Sequence, residues 1–264
     1  MTSGETRTIG TDYTAVSNTP AFGASNLKIY GGKVKTDQAY IRRGVDIGDQ
    51  RLLDLRNFSK SLGRYFMDKL INEALAAATF SGLKEQATAL SRVTHYVGSD
   101  GGSFPAGTVA TDVKLQHGFF ETLDAEIEVV NPDVLVMPGA LKARLKAVAR
   151  GALEVINVQD FYGANQRVET YNGIPIVNAG YAANGSTSVI TITETLGNSG
   201  AACTSLYLLK FGEAEDITVS TNVGMDVEDL GLVGTEYITM VEFDVDLLVL
   251  NAKALGRIDG IKLG

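Results

Sequence analysis

The sequence predicts an α+β fold in which one long helix and one long strand of matched length form a thin, elongated layer. Three observations predict it. Apolar residues recur at three- and four-residue steps through residues 49–79 (Leu52, Leu55, Phe58, Leu62, Phe66, Leu70, Ala74), as on an amphipathic helix. Through residues 236–250 (EYITMVEFDVDLLVL) they alternate instead, with Tyr237, Val241, Phe243, Val245, Leu247 and Val249 on one face and Glu242, Asp244 and Asp246 on the other. Between them, short strand and helix patterns interleave. At ~1.5 Å per residue the helix would run about 45 Å, and at ~3.3 Å per residue the strand would run about 50 Å.

The remaining elements follow in chain order. Residues 1–24 are polar, rich in Gly, Thr and Ser and aperiodic, the composition of an extended arm. Residues 27–43 (LKIYGGKVKTDQAYIRR) carry β-branched and aromatic residues around Gly31-Gly32 and a second turn signal at Thr36-Asp37, which predicts an extended hairpin. A two-stranded hairpin is marginal in water, so this one needs a partner surface. After the long helix, residues 98–103 (GSDGGS) read as a loop. A second helix is expected over 113–130, with Leu115, Phe119, Leu123 and Ile127 at four-residue steps and Asp112 as N-cap. Residues 133–137 (DVLVM) form a short apolar strand. Pro138 then opens a helix with Leu141, Leu145 and Val148 on one face, which Gly151 stops. Residues 167–177 (RVETYNGIPIV) predict a hairpin turning on Asn172-Gly173, its second strand placed at an edge or bulge by Pro175. Residues 189–193 and 206–211 add strands.

Composition narrows the function classes. The chain has 264 residues, room for one large domain or two smaller ones, and is 45% hydrophobic, enough for a real core. No apolar run approaches the ~20 residues that span a bilayer, and the first 19 residues lack the apolar core of a signal peptide. Synthesis in the cytoplasm is therefore expected. Cys203 is the only cysteine, so neither an intrachain disulfide nor a thiolate metal cluster can form. The net charge of −8 argues against a dedicated nucleic-acid binder. It is unevenly spread: residues 1–70 hold 11 Lys/Arg and 7 Asp/Glu, residues 71–264 hold 12 and 24. A basic N-terminal segment on an acidic body suggests that the segment docks on the body, its own or a neighbour's.

Catalytic patterns are missing. His95 and His117 are the only histidines, and neither has a ligand-spaced partner or adjoins a nucleophile motif. Residues 98–103 lack the Lys-Ser/Thr of a phosphate-binding loop. The acidic clusters at 213–216 and 226–229 offer oxygens to a divalent cation but read better as solvated turns. Glu242, Asp244 and Asp246 line an open strand face, with no pocket to perturb one of them. The basic helix over 141–150 could meet nucleic acid, but a solvated face or a subunit contact fits its modest charge better. No cofactor or metal is expected, and an enzyme is not expected.

The order of elements resembles the Hong Kong 97-like major capsid proteins of tailed bacteriophages over nearly the whole chain. The residues that carry the resemblance are the arm, the basic segment 27–43, the long helix 49–79, the strand–helix unit 131–150 (NPDVLVMPGALKARLKAVAR), the stretch 171–177 (YNGIPIV), and the ending 251–258 (NAKALGRI). The resemblance implies an N-arm over 1–24, an E-loop hairpin over 25–48 and a P-domain with its spine helix over 49–112. It places an A-domain over 113–210, and return strands of the P-domain with the C-terminal end over 211–264. It implies a subunit of pentamers and hexamers in an icosahedral virion shell that holds DNA without reading its sequence, and no contact with a membrane. Lys28, Lys33, Lys35, Arg42 and Arg43 of the E-loop would contact a neighbour. A separate scaffolding protein or a removed segment is implied, because only about 24 residues precede the E-loop. A portal and decoration proteins would be further partners. The family's founder joins a lysine to an asparagine through an acidic residue, and no asparagine–glutamate pair matching it can be assigned here. An encapsulin-like shell that encloses a cargo, and a hydrolase or carbohydrate-binding enzyme, are the alternatives.

Overall fold

The computed structural model describes residues 27–44, 46–97, 101–152, 157–160, 167–195 and 202–263. The expected arm at 1–24 and part of the expected loop at 98–103 lie outside the described residues. In chain order the elements are β1 (Lys28–Asp37), α1 (Ala39–Arg42), α2 (Ile47–Asn72), α3 (Leu83–Ala89), β2 (Val93–His95), β3 (Gly102–Ser103), α4 (Ala110–Val130), β4 (Val134–Met137), α5 (Gly139–Ala152), β5 (Asn157–Asp160), β6 (Arg167–Tyr171), β7 (Ile174–Asn178), β8 (Glu194–Thr195), β9 (Ala202–Leu209), β10 (Ile217–Val233), β11 (Glu236–Val249) and β12 (Leu255–Lys262). Two sheets result. The first runs β1-β11-β10, antiparallel throughout. The second runs β2-β12-β9-β4-β7-β6-β5, with β3 added to β12 and β8 to β9.

The first layer is the expected long helix on a long strand. Asp46 caps α2 by accepting from the Gly48 and Asp49 amides at 2.7 and 3.4 Å, and Asp49 near its start and Lys69 near its end suit the helix dipole. Phe66 and Tyr30 meet Phe80 and Phe243 in an aromatic cluster with ring centroids 5.3–6.4 Å apart. The helix ends at Asn72, seven residues before the expected limit. Alanines favour helix at 74–78, but burial of Phe80 draws the chain back: Gly82 donates to the Glu73 carbonyl at 2.9 Å. A Cβ at Gly82 would lie 2.8 Å from the Glu73 nitrogen, so only glycine allows this return. Tertiary packing overrides propensity here.

The expected hairpin over 27–43 is not formed. The segment is one strand, β1, paired with β11 from Lys28↔Val245 to Asp37↔Glu236, and then the short helix α1. Gly31 and Gly32 do not turn; they let neighbours come close. A Cβ on Gly31 would sit 2.2 Å from the Val241 carbonyl oxygen, and one on Gly32 would sit 2.9 Å from the Phe58 ring. Conversely, the acidic stretch 226–229 is not a turn but part of β10, a 17-residue strand. Register shifts near Gly224 and at Asp229/Gly231 break its alternation, which hides it in the sequence.

The second layer follows the sequence more closely. α4 begins three residues early, with Asp112 inside its first turn rather than capping it, and ends on Asn131 in the left-handed region (φ 48°). Phe119 and Leu123 of α4 and Leu141, Leu145 and Val148 of α5 are buried on one core with Leu135 and Ile258. α5 runs through Gly151 to Ala152 instead of stopping there. Asn172 and Gly173, both at positive φ, turn the β6–β7 hairpin. β7 is internal, between β4 and β6; Pro175 is accommodated because pairing with β4 starts one residue later, at Ile176. The strand expected over 189–193 is absent; Val189 and Ile190 are buried as an irregular segment after the Tyr181–Ser188 bridge. β12, expected among the return strands of the first layer, lies inside the large sheet between β2 and β9.

Candidate functional site

The five cations expected at a subunit contact lie on β1, on α1 and at the residue just past it. Residues directly opposite across a sheet share a face, so the registers sort the first layer into two. The core face, covered by α2, holds Tyr30, Gly32, Val34 and Thr36 of β1 with Tyr237, Thr239, Val241, Phe243 and Val245 of β11. Thr36 donates to Asp54 at 2.7 Å, and Arg51 binds Asp229 at 2.6 Å and lies over the Tyr237 ring. The bond from Arg51 and the Gly231 amide hold the Asp229 carboxyl below its ordinary range.

The opposite face carries the charge. Lys33 and Lys35 stand there with Asp37, Glu236, Glu242, Asp244, Asp226 and Glu228. Lys35 pairs with Glu236 at 2.9 Å. Asp226 sits directly opposite Glu242, a like-charge pair with no cation bound to it among the described residues. Lys28 points the other way and donates to the Ala77 carbonyl at 2.9 Å. Arg43 is exposed past the end of α1; the Arg42 side chain lies outside the described residues. The structure thus brings Lys33 and Lys35 together on one strand face and separates Lys28 and Arg43 from them. Among the described residues no group of three or more His, Cys, Asp or Glu side chains could hold a metal, the acidic face included.

Sequence reasoning missed β10, and with it one of the two edges of the sheet. α2 packs mainly over β1, and among the described residues nothing covers the middle of the core face of β10: Met225 and Val227 are 59% and 50% exposed although they oppose Phe243 and Val241. The alternation of 217–221 and 225–229 was the available signal.

Two other places gather polar and charged side chains. Arg257, 7% exposed, binds both carboxylate oxygens of Glu194 at 3.0 Å and lies 3.7 Å from Asp259; Lys84 reaches the same Glu194 at 2.5 Å and His95 the same Asp259 at 2.6 Å. Burial pushes the Glu194 carboxyl up, but the bond from Lys84 and the Arg257 charge more than offset it and hold the group below its ordinary value. Burial raises the Tyr207 hydroxyl beside Arg257 to about 12. Each carboxylate is thus held by two bases, while the buried Arg257 Nε has no partner among the described residues. A groove of about 840 Å³ between α4 and α5 is lined by His117, Gln116, Phe120, Asp124 and Tyr171. Its floor is the Phe120–Tyr171 stack, and Asp124 already accepts from the Tyr171 hydroxyl at 2.8 Å.

No protein-family model and no curated protein matches the sequence. Solved structures match its fold. The holo-SrpI encapsulin of Synechococcus elongatus PCC 7942 aligns with a TM-score of 0.63 at 16% identity, over 89% of this chain and 74% of that one. The capsid of an empty GTA particle aligns at 0.53 and 12%, over 96% and 81%. A chain of Mycobacterium phage Adephagia aligns at 0.50 and 11%, over 90% and 73%. The fold is Hong Kong 97-like.

Proposed function

We propose that this Hong Kong 97-like chain is the major capsid protein of a tailed bacteriophage, a subunit that self-assembles into the icosahedral head shell around the genome. One observation carries the reading: the fold extends over about nine-tenths of the chain in alignments with an encapsulin and with the capsid of a GTA particle. A thin layer whose two sheet edges are open among the described residues supports the same conclusion, and the chain is read as not an enzyme. In this reading 1–24 is the N-arm and 49–112 with the long strands of 211–264 is the P-domain. Residues 113–210 form the A-domain, joined there by β12. The stretch 25–48 takes the E-loop's place as an edge strand and corner, and Lys28, Lys33, Lys35, Arg42 and Arg43 contact a neighbour. The further partners are a scaffolding protein, a portal, decoration proteins and DNA held through its phosphates. The protein is made in the host cytoplasm and resides in the virion.

The alignment with an encapsulin supports a second reading, a shell around a protein cargo. Electron microscopy of the purified full chain, alone and with its neighbouring genes co-expressed, tests both. Closed shells are expected, and a monomer under every condition refutes both. Shells from the native host filled with DNA support the first reading; shells filled with one protein support the second.

A further inference from the structure

The geometry points to a sheet continuous between subunits: the free edge of β1 in one copy pairs with the free edge of β10 in the next. This rests on the shell-subunit reading and names the partner of its basic strand.

Both strands are edges, and among the described residues nothing pairs with the far side of either beyond Ile217. A 17-residue edge is long, and native proteins blunt such edges with lysine or proline. β10 (ITVSTNVGMDVEDLGLV) has no lysine, arginine or proline. Its backbone offers a template that nothing in its own sequence guards except carboxylates.

Charge selects the occupant. β1 (KIYGGKVKTD) holds three lysines and one aspartate; β10 holds two aspartates, one glutamate and no cation. Pairing β1 with β1 sets lysine beside lysine, and pairing β10 with β10 sets carboxylate beside carboxylate. Like charges in direct opposition are destabilising, and so disfavour both. Only the mixed pair joins opposite charges. The match extends to the face and the spacing. Lys33 and Lys35 lie two residues apart on the outer face of β1, and Asp226 and Glu228 lie two residues apart on the outer face of β10. With those pairs in register, Asp226 gains a cation that relieves its opposition to Glu242.

The same pairing covers the bare strip. On the core face Val34 of the incoming strand falls beside Val227, with the two strands running parallel, the one direction that keeps both core faces on the same side of the joined sheet. The neighbour's β1 arrives with its own α2 packed over it, and that helix closes over Met225 and Val227. A contact of one edge with a different edge is heterologous, and heterologous contacts close into rings when the rotation permits. Five- and six-membered rings are what a shell requires.

The test is a disulfide between Val34→Cys and Val227→Cys in a Cys203→Ala background. Within one chain β11 separates the two strands by two strand spacings, about 9.5 Å. A disulfide spans at most ~7 Å between Cα atoms, so any bond between the introduced thiols joins two chains. Assembled particles oxidised and run without reductant should give a ladder up to a closed pentamer or hexamer that collapses to monomer on reduction. Mixing the two single variants should give dimers only, and either single variant alone should give none. In parallel, Lys33→Glu/Lys35→Glu and Asp226→Lys/Glu228→Lys should each lower assembly yield at least tenfold, and their combination should restore it to within threefold. Particles by microscopy with unreacted thiols, or cross-links in either single variant alone, would overturn the pairing and leave the shell reading standing. A wild-type chain that never assembles would remove both.

Discussion

Replacing Arg257 by methionine should destabilise the subunit through the charges it leaves behind, with little change in packing. The guanidinium is 7% exposed, makes two 3.0 Å bonds to Glu194 and lies 3.7 Å from Asp259. Breaking a buried pair by removing one member costs ~3–5 kcal/mol, because the other charge stays desolvated. Glu194 keeps Lys84 and Asp259 keeps His95, so the lower end applies, about 3 kcal/mol. At ~2–4 °C per kcal/mol for a chain of this size, Tm falls by about 6–12 °C. Removing Glu194 as well, in Arg257→Met/Glu194→Met, should recover much of that loss. The acid limb also moves. Glu194 titrates below its ordinary value of 4.5 in the fold. Its stabilisation is therefore present above about that pH and is lost as the pH falls through the lowered value. Without Arg257 the lowering shrinks and the loss begins at higher pH. Urea and thermal unfolding of unassembled subunits at pH 7 and across pH 3–6 measure both effects. A Tm within 2 °C of wild type with an unchanged acid limb would show that Arg257 does not hold these carboxylates.

Gly31→Ala places a Cβ 2.2 Å from the Val241 carbonyl oxygen and should cost about 1–3 kcal/mol, as overpacking does; urea midpoints compared with wild type check it. Reversing Lys33, Lys35, Arg42 and Arg43 to glutamate should leave the far-ultraviolet dichroism intact and impair particle formation, and wild-type particle yield would refute the contact. Tyr207 is raised to about 12 against an ordinary 10, so the unfolded chain ionises first. Stability should fall by up to about 3 kcal/mol between pH 10 and 12, and Tyr207→Phe should flatten that decline in alkaline unfolding curves. Mature particles boiled in denaturant should run as one band at the monomer mass. An isopeptide bond needs a lysine made nucleophilic by burial, whereas Lys33 and Lys35 are exposed in the subunit. A ladder that survives reduction would contradict this.

What the sequence revealed depended on whether the signal was local. The steps of Leu62 and Phe66 located α2, the alternation of Val241, Phe243 and Val245 located β11, and Asn172-Gly173 located its hairpin, since each pattern fixes its own element. Gly31-Gly32 misled because a glycine chosen for close approach reads the same as one chosen for a turn. β10 was missed because a bulge at Gly224 shifts its alternation and its carboxylates resemble a turn. The end of α2 depended on where Phe80 is buried, which no local pattern holds. The candidate contact was half legible: the sequence identifies the basic strand, but its acidic counterpart appears only when β11 sets β10 at the far edge of the sheet.

The place of β12 has a kinetic consequence. It forms the parallel neighbour of β2, and the His95–Asp259 contact spans 164 residues of sequence. Contacts of such separation must wait for a large loop to close, which slows folding. On a ribosome adding ~5–20 residues per second, the stretch from 95 to 259 takes roughly 10–30 seconds to emerge. Throughout that interval β2 and one side of β9 lack their native neighbour. The large sheet cannot be completed on a nascent chain that has not yet delivered residues 255–262. The chain therefore reaches its native fold only after that last strand has been inserted, well after β2 has left the ribosome.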